Sequence, residues 1–584
     1  MIVLARNKLS IRRSKRLFLL SFVALLVLYV GHLSRGRLSR QSSEMIIQTL
    51  HKRLKDKDLA TIQDYSACTD YFRQLSLHDK QWSIRGFGDE KTSFTSRKHI
   101  IDSVRHLRIF SQCFIHKSAP YGDLDIEKIE KKLFPLFTGD LPVFQRWDGL
   151  VVEGFPGQNE VLGSEGTASK IHRASQWSFW RHLKESMYGR GIVISLGENG
   201  VSDVKRLLKV LKATGNKLPI QLVHKGDLTK AAMQDIIKVG RGDFNLEIER
   251  QFQSIGNPQD IWFVNAERTL TSSSSHLFQR FSNKWIASLF NSFEEMILMD
   301  CDAVPFLEPE LFLNATEYKE TGAFFFKDRL IDECLKKKDL KFYQKLFPLE
   351  NEYSLFGLLH PLDAVNQRMF FEFGHKHIME SGVVVLKRGD HLPGLLISTC
   401  LQLWKETSEP FYGDKEFFWL GQSISGNDGY RFNAHPAGAL GVLNQDADEN
   451  LEYICSTQPA HFSRNLQLLW LNGGARKCKI PSWNMDFSKH KFLRQKYDSA
   501  EKLKDFYESP INVNGAIIPP RSELSILQKI NGVRSGFQKC TRLGCAGYTW
   551  CAYNQRLDGK GKTIHFHQSE VDNIKFIISV WNAD

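Results

Sequence analysis

The sequence predicts an α/β domain on a mostly parallel sheet, preceded by a membrane-spanning helix and a helical stem. Three observations predict it. From Gly191 to Met299 short apolar runs alternate with segments of helical periodicity, the pattern of parallel strands joined by right-handed crossover helices. A continuous apolar run follows a basic N-terminus. The composition, 42% hydrophobic and 12% aromatic with 18 Pro in 584 residues, supplies a large core and excludes disordered, collagen-like and low-complexity classes.

The apolar run spans residues 17–33. At about 1.5 Å per residue it covers about 25 Å, the short end of a bilayer-spanning helix. Arg6, Lys8, Arg12, Arg13, Lys15 and Arg16 precede it, Arg35, Arg37 and Arg40 follow it, and the first acidic residue is Glu44. No small-residue cleavage site follows at Gly31 to Arg35, so the run reads as a retained anchor rather than a cleaved signal. The charge bias places residues 1–16 in the cytoplasm and the remainder in the lumen. The same nine basic residues dominate the formal net charge of +13, leaving +4 for the rest of the chain. No basic patch is implied, and nucleic acid is not an expected partner.

Residues 34 to about 60 are polar and basic and read as a stem, and 34–145 as a whole as stem plus a mostly helical region. A catalytic-size domain is expected over 146–530 and a C-terminal extension over 531–584. Ten cysteines without a C-x-x-C pair or metal spacing point to disulfides in an oxidising compartment. Proximity alone suggests Cys455 with Cys478 and Cys68 with Cys113. Asn314-Ala315-Thr316 is a glycosylation sequon in the expected luminal portion.

Within the domain, Ile192 to Leu196 reads as a strand, Val201 to Thr214 as a helix burying Val204, Leu207, Leu208 and Leu211, and Leu218 to Val223 as the next strand. Ser195 and Gly197, where the first strand turns into its helix, are candidate donor-binding residues, since ligands of such sheets sit at the carboxyl ends of the strands. A second unit follows: strand Ile261 to Val264, a helix from about Phe281 to Phe293, and strand Met296 to Met299.

That last strand runs into Asp300-Cys301-Asp302 and then Ala303-Val304-Pro305. Alternation along an extended chain would aim Asp300 and Asp302 the same way and Cys301 back toward the core. A bare D-x-D is most often a solvated turn. Here a buried strand delivers both carboxylates together, and paired hard oxygen ligands suit Mn²⁺ or Mg²⁺ bridging a diphosphate.

The segments Gly191-Ile-Val-Ile-Ser, Leu218-Pro-Ile-Gln, Ser292 to Pro305, Glu380-Ser-Gly-Val-Val-Val385, Gly413-Asp-Lys-Glu-Phe-Phe-Trp-Leu-Gly421 and Leu469-Trp-Leu-Asn-Gly-Gly474 together resemble the fungal Golgi α-1,3-mannosyltransferase family. The resemblance spans roughly residues 180–480. It departs at Cys301, where the family more often has Ala. It implies a GT-A-like fold, a Golgi membrane location with type II topology, GDP-mannose as donor, manganese as metal, and transfer to mannose on N- or O-linked glycans of secretory glycoproteins. Donor and product linkage are both α, so configuration is retained.

Other positions can be weighed beside that resemblance. Ser381 and Gly382 precede an apolar run, and could offer a hydroxyl and a close backbone approach to a sugar. Asp414 and Glu416, beside aromatic residues, are the candidates for the anomeric centre as nucleophile or stabiliser. The spacing leaves open which of them acts. His461 could complete the metal shell as a nitrogen ligand, and Lys284, upstream of the carboxylates, could reach the diphosphate as a point charge. The competing readings are an α-1,2-mannosyltransferase or another nucleotide-sugar transferase, and a silent luminal lectin-like scaffold. A scaffold has no need of the paired carboxylates.

Overall fold

Strand Glu295–Met299 is buried from Met296 onward because it lies inside a nine-stranded sheet with an apolar core on each face. A computed structural model of the chain describes residues 43–54, 65–88, 95–155, 178–243, 245–248, 251–254, 256–329, 331, 333–358, 369–446, 451–520, 536–540, 544–556 and 559–583. The sheet runs in the order 431–436, 323–327, 379–387, 295–299, 190–195, 220–224, 261–265, 143–146 and 151–153. Its centre, from 295–299 to 261–265, is parallel, and 431–436 also runs parallel to 323–327.

The flanks are antiparallel, so the sheet is mixed rather than mostly parallel. Strand 151–153 returns directly from 143–146 through a tight turn at Gly149 (φ +92°), and such a return needs no crossover. Strand Met379–Lys387 is inserted between 295–299 and 323–327 and opposes both.

Side-chain alternation divides the central strands between two cores. Val193, Met296, Leu298 and Val384 pack with Trp285 and Leu289 on one face. Ile192, Ile194, Ile297 and Met299 pack on the other with Leu207 and Leu211 of helix Val201–Ala213 and Ile574 and Ile578 of helix Gln568–Asn582.

Helices Ser43–Leu54, Ser66–His78, Arg97–Phe110 and Ile126–Leu133 make up much of the N-terminal region. The expected polar stem is shorter than its composition suggests. Ile46, Ile47 and Leu50 form a stripe that is buried in the main core. Arg105 and Arg108 bind this region to the body through Glu352, at 3.1 and 2.7 Å.

Helices Arg388–Leu403 and Lys415–Ser425 cross in direct contact. A Cβ at Gly421 would stand 1.9 Å from Ser398 Oγ and 2.6 Å from the Gly394 carbonyl, so only glycine permits the approach. The buried Arg388 guanidinium donates to the carbonyls of Ser288, Leu289, Asn291 and Phe293. It thereby satisfies the open carbonyl end of helix Asn283–Leu289.

A six-stranded antiparallel sheet, in the order 562–565, 515–518, 438–441, 459–462, 468–471 and 304–305, packs beside the first. Strand 304–305 joins it immediately after Asp302. A four-stranded sheet orders 444–446, 451–456, 550–553 and 537–539. The described parts of the expected C-terminal extension are therefore woven into the body, and Arg206 Nη1 donates to the Trp581 carbonyl at 2.9 Å.

Cys68 and Cys113 form a disulfide as expected. Cys455 and Cys478 do not pair with each other. Cys455 lies opposite Cys551 on neighbouring strands and bonds to it, and Cys478 bonds to Cys545. Strand register, which proximity in sequence does not reveal, decides the first pairing. Asn314 is exposed at the end of helix Glu310–Leu313. The expected tail 1–16 and anchor 17–33 lie outside the described residues, among which no helix is long and apolar enough to cross a membrane.

Candidate active site

At the end of strand Glu295–Met299 the Asp300 N–H donates to the Gly382 carbonyl at 2.9 Å, and the chain then turns, with Ala303 N–H donating to the Asp300 carbonyl at 3.1 Å. The turn replaces the extended D-x-D. Asp300 and Asp302 consequently face one cavity, and Cys301, half-buried near Gly200, packs against the core as expected while also touching that cavity. The Asp302 carbonyl accepts the N–H groups of Gly473 and Gly474 at 3.1 and 2.8 Å. Their φ values of +91° and +71° suit glycine alone in such succession.

The cavity measures about 680 Å³. Its wall combines Ser195 from strand Arg190–Ser195 and Asp203 from the first turn of helix Val201–Ala213 with Lys284, Asp300, Asp302, Glu380, Ser381, Asp414 and Asn472. These residues come from distant parts of the chain and meet at the carboxyl edge of the parallel strands, as ligand sites of such sheets do.

Lys284 Nζ is buried at the centre. It lies 2.8 Å from Asp300 Oδ1 and 3.2 Å from Asp414 Oδ2, and donates to the Ser381 carbonyl and Oγ at 3.1 Å each. Ser381 Oγ in turn donates to Asp414 Oδ2 at 2.9 Å. Although burial favours the neutral amine, the two carboxylates hold Lys284 above the usual lysine range. Burial pushes the Asp300 carboxyl up to about 7, with Asp302 and Asp414 adding to the push and Lys284 opposing it. Among the described residues nothing hydrogen-bonds to or ion-pairs with the Asp302 carboxylate. Asp203, half-buried, is raised by burial and by Asp302.

A second charged group stands across the cavity. Lys415 bonds Asp328 and, at 2.9 Å, His377 Nδ1, whose Nε2 meets Glu333 at 3.3 Å. Burial alone would raise Asp328, but Lys415 and Arg329 hold it down at about 2. Burial and Lys415 lower His377 to about 4, which leaves its ring neutral near pH 7. Glu380 accepts from the N–H groups of Ser381 and Gly382 and from Asn472 Nδ2, at 3.0, 3.2 and 2.9 Å.

The family model described as "Mannosyltransferase putative" matches residues 189–463. The chain is 32% identical, over 98% of its own length and 100% of the relative's, to the alpha-1,3-mannosyltransferase MNT2 of Saccharomyces cerevisiae. The chain belongs to this α-1,3-mannosyltransferase family. The alpha-1,3-mannosyltransferase MNT3 of the same organism is 31% identical over 70% of this chain and 64% of its own length. Among solved structures, the galactosyltransferase LgtC in complex with donor and acceptor sugar analogs aligns with 42% of this chain and 73% of that one, at 10% identity and a TM-score of 0.27.

In this mannosyltransferase the cavity brings together Ser195, Lys284, Asp300, Asp302, Ser381 and Asp414. It does not bring in Glu416. That carboxylate is fully buried two residues beyond Asp414, accepting the N–H groups of Ile378 and Met379 at 2.9 and 3.2 Å and the Trp419 Nε1–H at 2.7 Å. Three donors occupy it, and its work is to pin helix Lys415–Ser425 to strand Met379–Lys387.

His461 also lies away from the carboxylates. Its ring stacks on Trp470 at 4.1 Å and 16°, and burial lowers its pKa to about 3. Among the described residues no three His, Cys, Asp or Glu side chains are arranged as a metal shell. Gly382 is glycine for packing: a Cβ there would meet the Trp470 ring at 2.7 Å and the Asn472 amide at 2.8 Å. Gly197 precedes the 3₁₀ turn Glu198–Gly200 and does not line the cavity.

Asp203, Asp328, Arg329, Glu380 and Lys479 were missed by the sequence reading, yet line the cavity. A signal existed for two of them. Strand Ala323–Lys327, apolar until its last residue, delivers Asp328-Arg329 just as strand Glu295–Met299 delivers Asp300.

Proposed function

We propose that this mannosyltransferase moves mannose from GDP-mannose onto a mannose residue of protein-linked N- or O-glycans, forming an α-1,3 bond with retention of configuration on a GT-A-like domain. The observation that carries the reading is the Asp302 carboxylate, presented to the cavity without a partner beside Asp300 at the carboxyl edge of the parallel strands. Asp302 and Asp300 together offer hard oxygen donors of the kind that suit Mn²⁺ or Mg²⁺.

Asp300 and Asp302 are the residues that would hold the metal. When bound, it supplies positive charge to the departing nucleotide diphosphate. His461, buried against Trp470, is left out of the ligand set. Asp414, fixed by Lys284 and Ser381, is the carboxylate assigned to the anomeric centre, as nucleophile or as stabiliser of its positive charge. Lys284 is engaged by two carboxylates, so the diphosphate charge is assigned to Lys479, whose ammonium lies 4.7 Å from the Tyr548 ring centroid in the cavity wall.

A Golgi membrane location with the catalytic domain in the lumen belongs to the same proposal. The apolar run 17–33 with its basic flanks and the three disulfides support it. The deciding assay incubates the purified protein with GDP-mannose or UDP-sugars and mannobiose, with manganese or EDTA. Manganese-dependent transfer from GDP-mannose is expected, with an α-1,3 product by linkage analysis. Transfer from a UDP-sugar alone would overturn the donor assignment, and an α-1,2 product the linkage.

A further inference from the structure

A second cavity of about 820 Å³ opens beside the first and shares Arg280, Phe281, Glu409 and Gly413 with it. Gly413 precedes Asp414, and Phe281 lies three residues before Lys284, so the passage between the cavities runs past the proposed reacting centre. The two are chemically unlike. The first is walled by many carboxylates and cations, as a charged nucleotide donor requires. The second holds three ionic side chains, Arg280, Lys405 and Glu409, among serines, glutamines and the apolar surfaces of Phe87, Leu277, Phe281 and Leu403.

That mixture is the chemistry that binds an uncharged polyhydroxylated ring: an apolar wall for one face and amide, hydroxyl and charged groups for its hydroxyls. The wall is already organised. Phe87 stacks on Trp404 with centroids 5.2 Å apart and planes at 15°. At the passage Phe281 is 43% exposed and Tyr412 62% exposed, their rings 5.7 Å apart. A Cβ at Gly413, itself at φ +73°, would meet the Phe281 ring at 3.3 Å, so the backbone there is shaped around the aromatic. Gln402 borders the cavity, and its amide oxygen, itself buried, accepts from no donor among the described residues.

We infer that the second cavity is an extended acceptor subsite, holding the mannose residues of the acceptor that lie behind the one that receives the new bond. The inference rests on the proposed transfer to mannosylated acceptors. It predicts recognition of an oligosaccharide rather than of a single terminal sugar, because the volume beyond the reacting centre exceeds that of the donor cavity itself.

The test is equilibrium binding of methyl α-mannoside and of an α-linked mannotriose to the full chain in detergent, without donor. The trisaccharide is expected to bind at least about tenfold more tightly, the margin that a few added contacts give once ordering costs are met. Ser273→Trp, which fills the second cavity from an exposed position, should abolish that preference, and the milder Gln402→Ala should reduce it. Equal affinity for the two sugars in the parent would overturn the inference, as would an unchanged preference in Ser273→Trp protein whose thermal unfolding matches the parent. Because no donor is present, the outcome is separate from the transfer assay: absence of transfer from GDP-mannose overturns the proposed reaction and leaves the binding result standing.

Discussion

Lys284 Nζ stands 2.8 Å from Asp300 Oδ1, and the same ammonium reaches Asp414 at 3.2 Å. One buried cation therefore spaces the carboxylate that ends the central strand from the carboxylate that begins helix Lys415–Ser425. Removing it leaves two largely buried anions facing each other without a counter-charge. Lys284→Met is expected to lower stability by about 3–5 kcal/mol, the usual loss when one partner of a buried pair is deleted. Asp414→Asn in that background should cost less than it does alone, because it relieves the repulsion. Denaturant unfolding of both single variants and the double variant measures the coupling, and strict additivity would refute it.

The Asp302 carboxylate makes no bond that the fold needs. Asp302→Asn should thus keep the parental unfolding temperature while transfer falls at least about a hundredfold, as when a single stabiliser of developing charge is lost. Cys301→Ala, between the two aspartates, is a near match in size and should change the rate little. Full transfer activity in folded Asp302→Asn protein would return the D-x-D to the status of a turn.

Glu416 provides the opposite contrast. In Glu416→Gln an amide N–H₂ must face either the Trp419 indole N–H or the backbone N–H groups of Ile378 and Met379. A donor against a donor, sealed from water, is expected to cost about 1–3 kcal/mol. Transfer per folded molecule should remain at the parental level. A loss of rate without a loss of stability would place Glu416 back at the reacting centre.

What the sequence discloses and what it withholds follow from periodicity. Strand Glu295–Met299 and helix Val201–Ala213 are legible because their apolar residues repeat at the periods of buried elements, and Asp300 is legible as the polar stop of an apolar run. Asp414 and Glu416 look equivalent in Asp-Lys-Glu. Once the helix begins, each residue turns by about 100°, so the two carboxylates part, one to the cavity and the other to the strand behind it. His461 looks like a free ligand until strand pairing sets it opposite Trp470. Glu380 and Asp203 contribute through a topology that joins positions far apart in the chain, which no local pattern encodes.

The same argument applies to the cysteines. Cys455 with Cys551 and Cys478 with Cys545 close segments of 96 and 67 residues, and in the chain-entropy model loops of that size are worth about 4.5 kcal/mol each. Cys455→Ala with Cys551→Ala should lower the unfolding temperature, and the Cys478 and Cys545 pair should behave likewise. Peptide mapping without reduction should recover both linkages. A Cys455–Cys478 peptide would contradict the observed strand register.

The last prediction concerns pH and lies well away from the cavity. Glu130, buried in helix Ile126–Leu133, accepts from Ser178 Oγ at 2.6 Å and Phe179 N–H at 2.9 Å. Burial nevertheless pushes its carboxyl from the usual 4.5 up to about 7. Between those values the folded chain keeps a proton that the unfolded chain has released, so this contribution to stability is complete below 4.5 and is lost as pH climbs through about 7. Glu130→Gln carries no such proton. The difference in unfolding free energy between variant and parent should therefore move in the variant's favour from pH 5 to pH 8, by at most about 3 kcal/mol. Glu416 is raised in the same direction but is common to both proteins and cancels. A difference that stays constant across that range would show that Glu130 ionises freely in the folded chain.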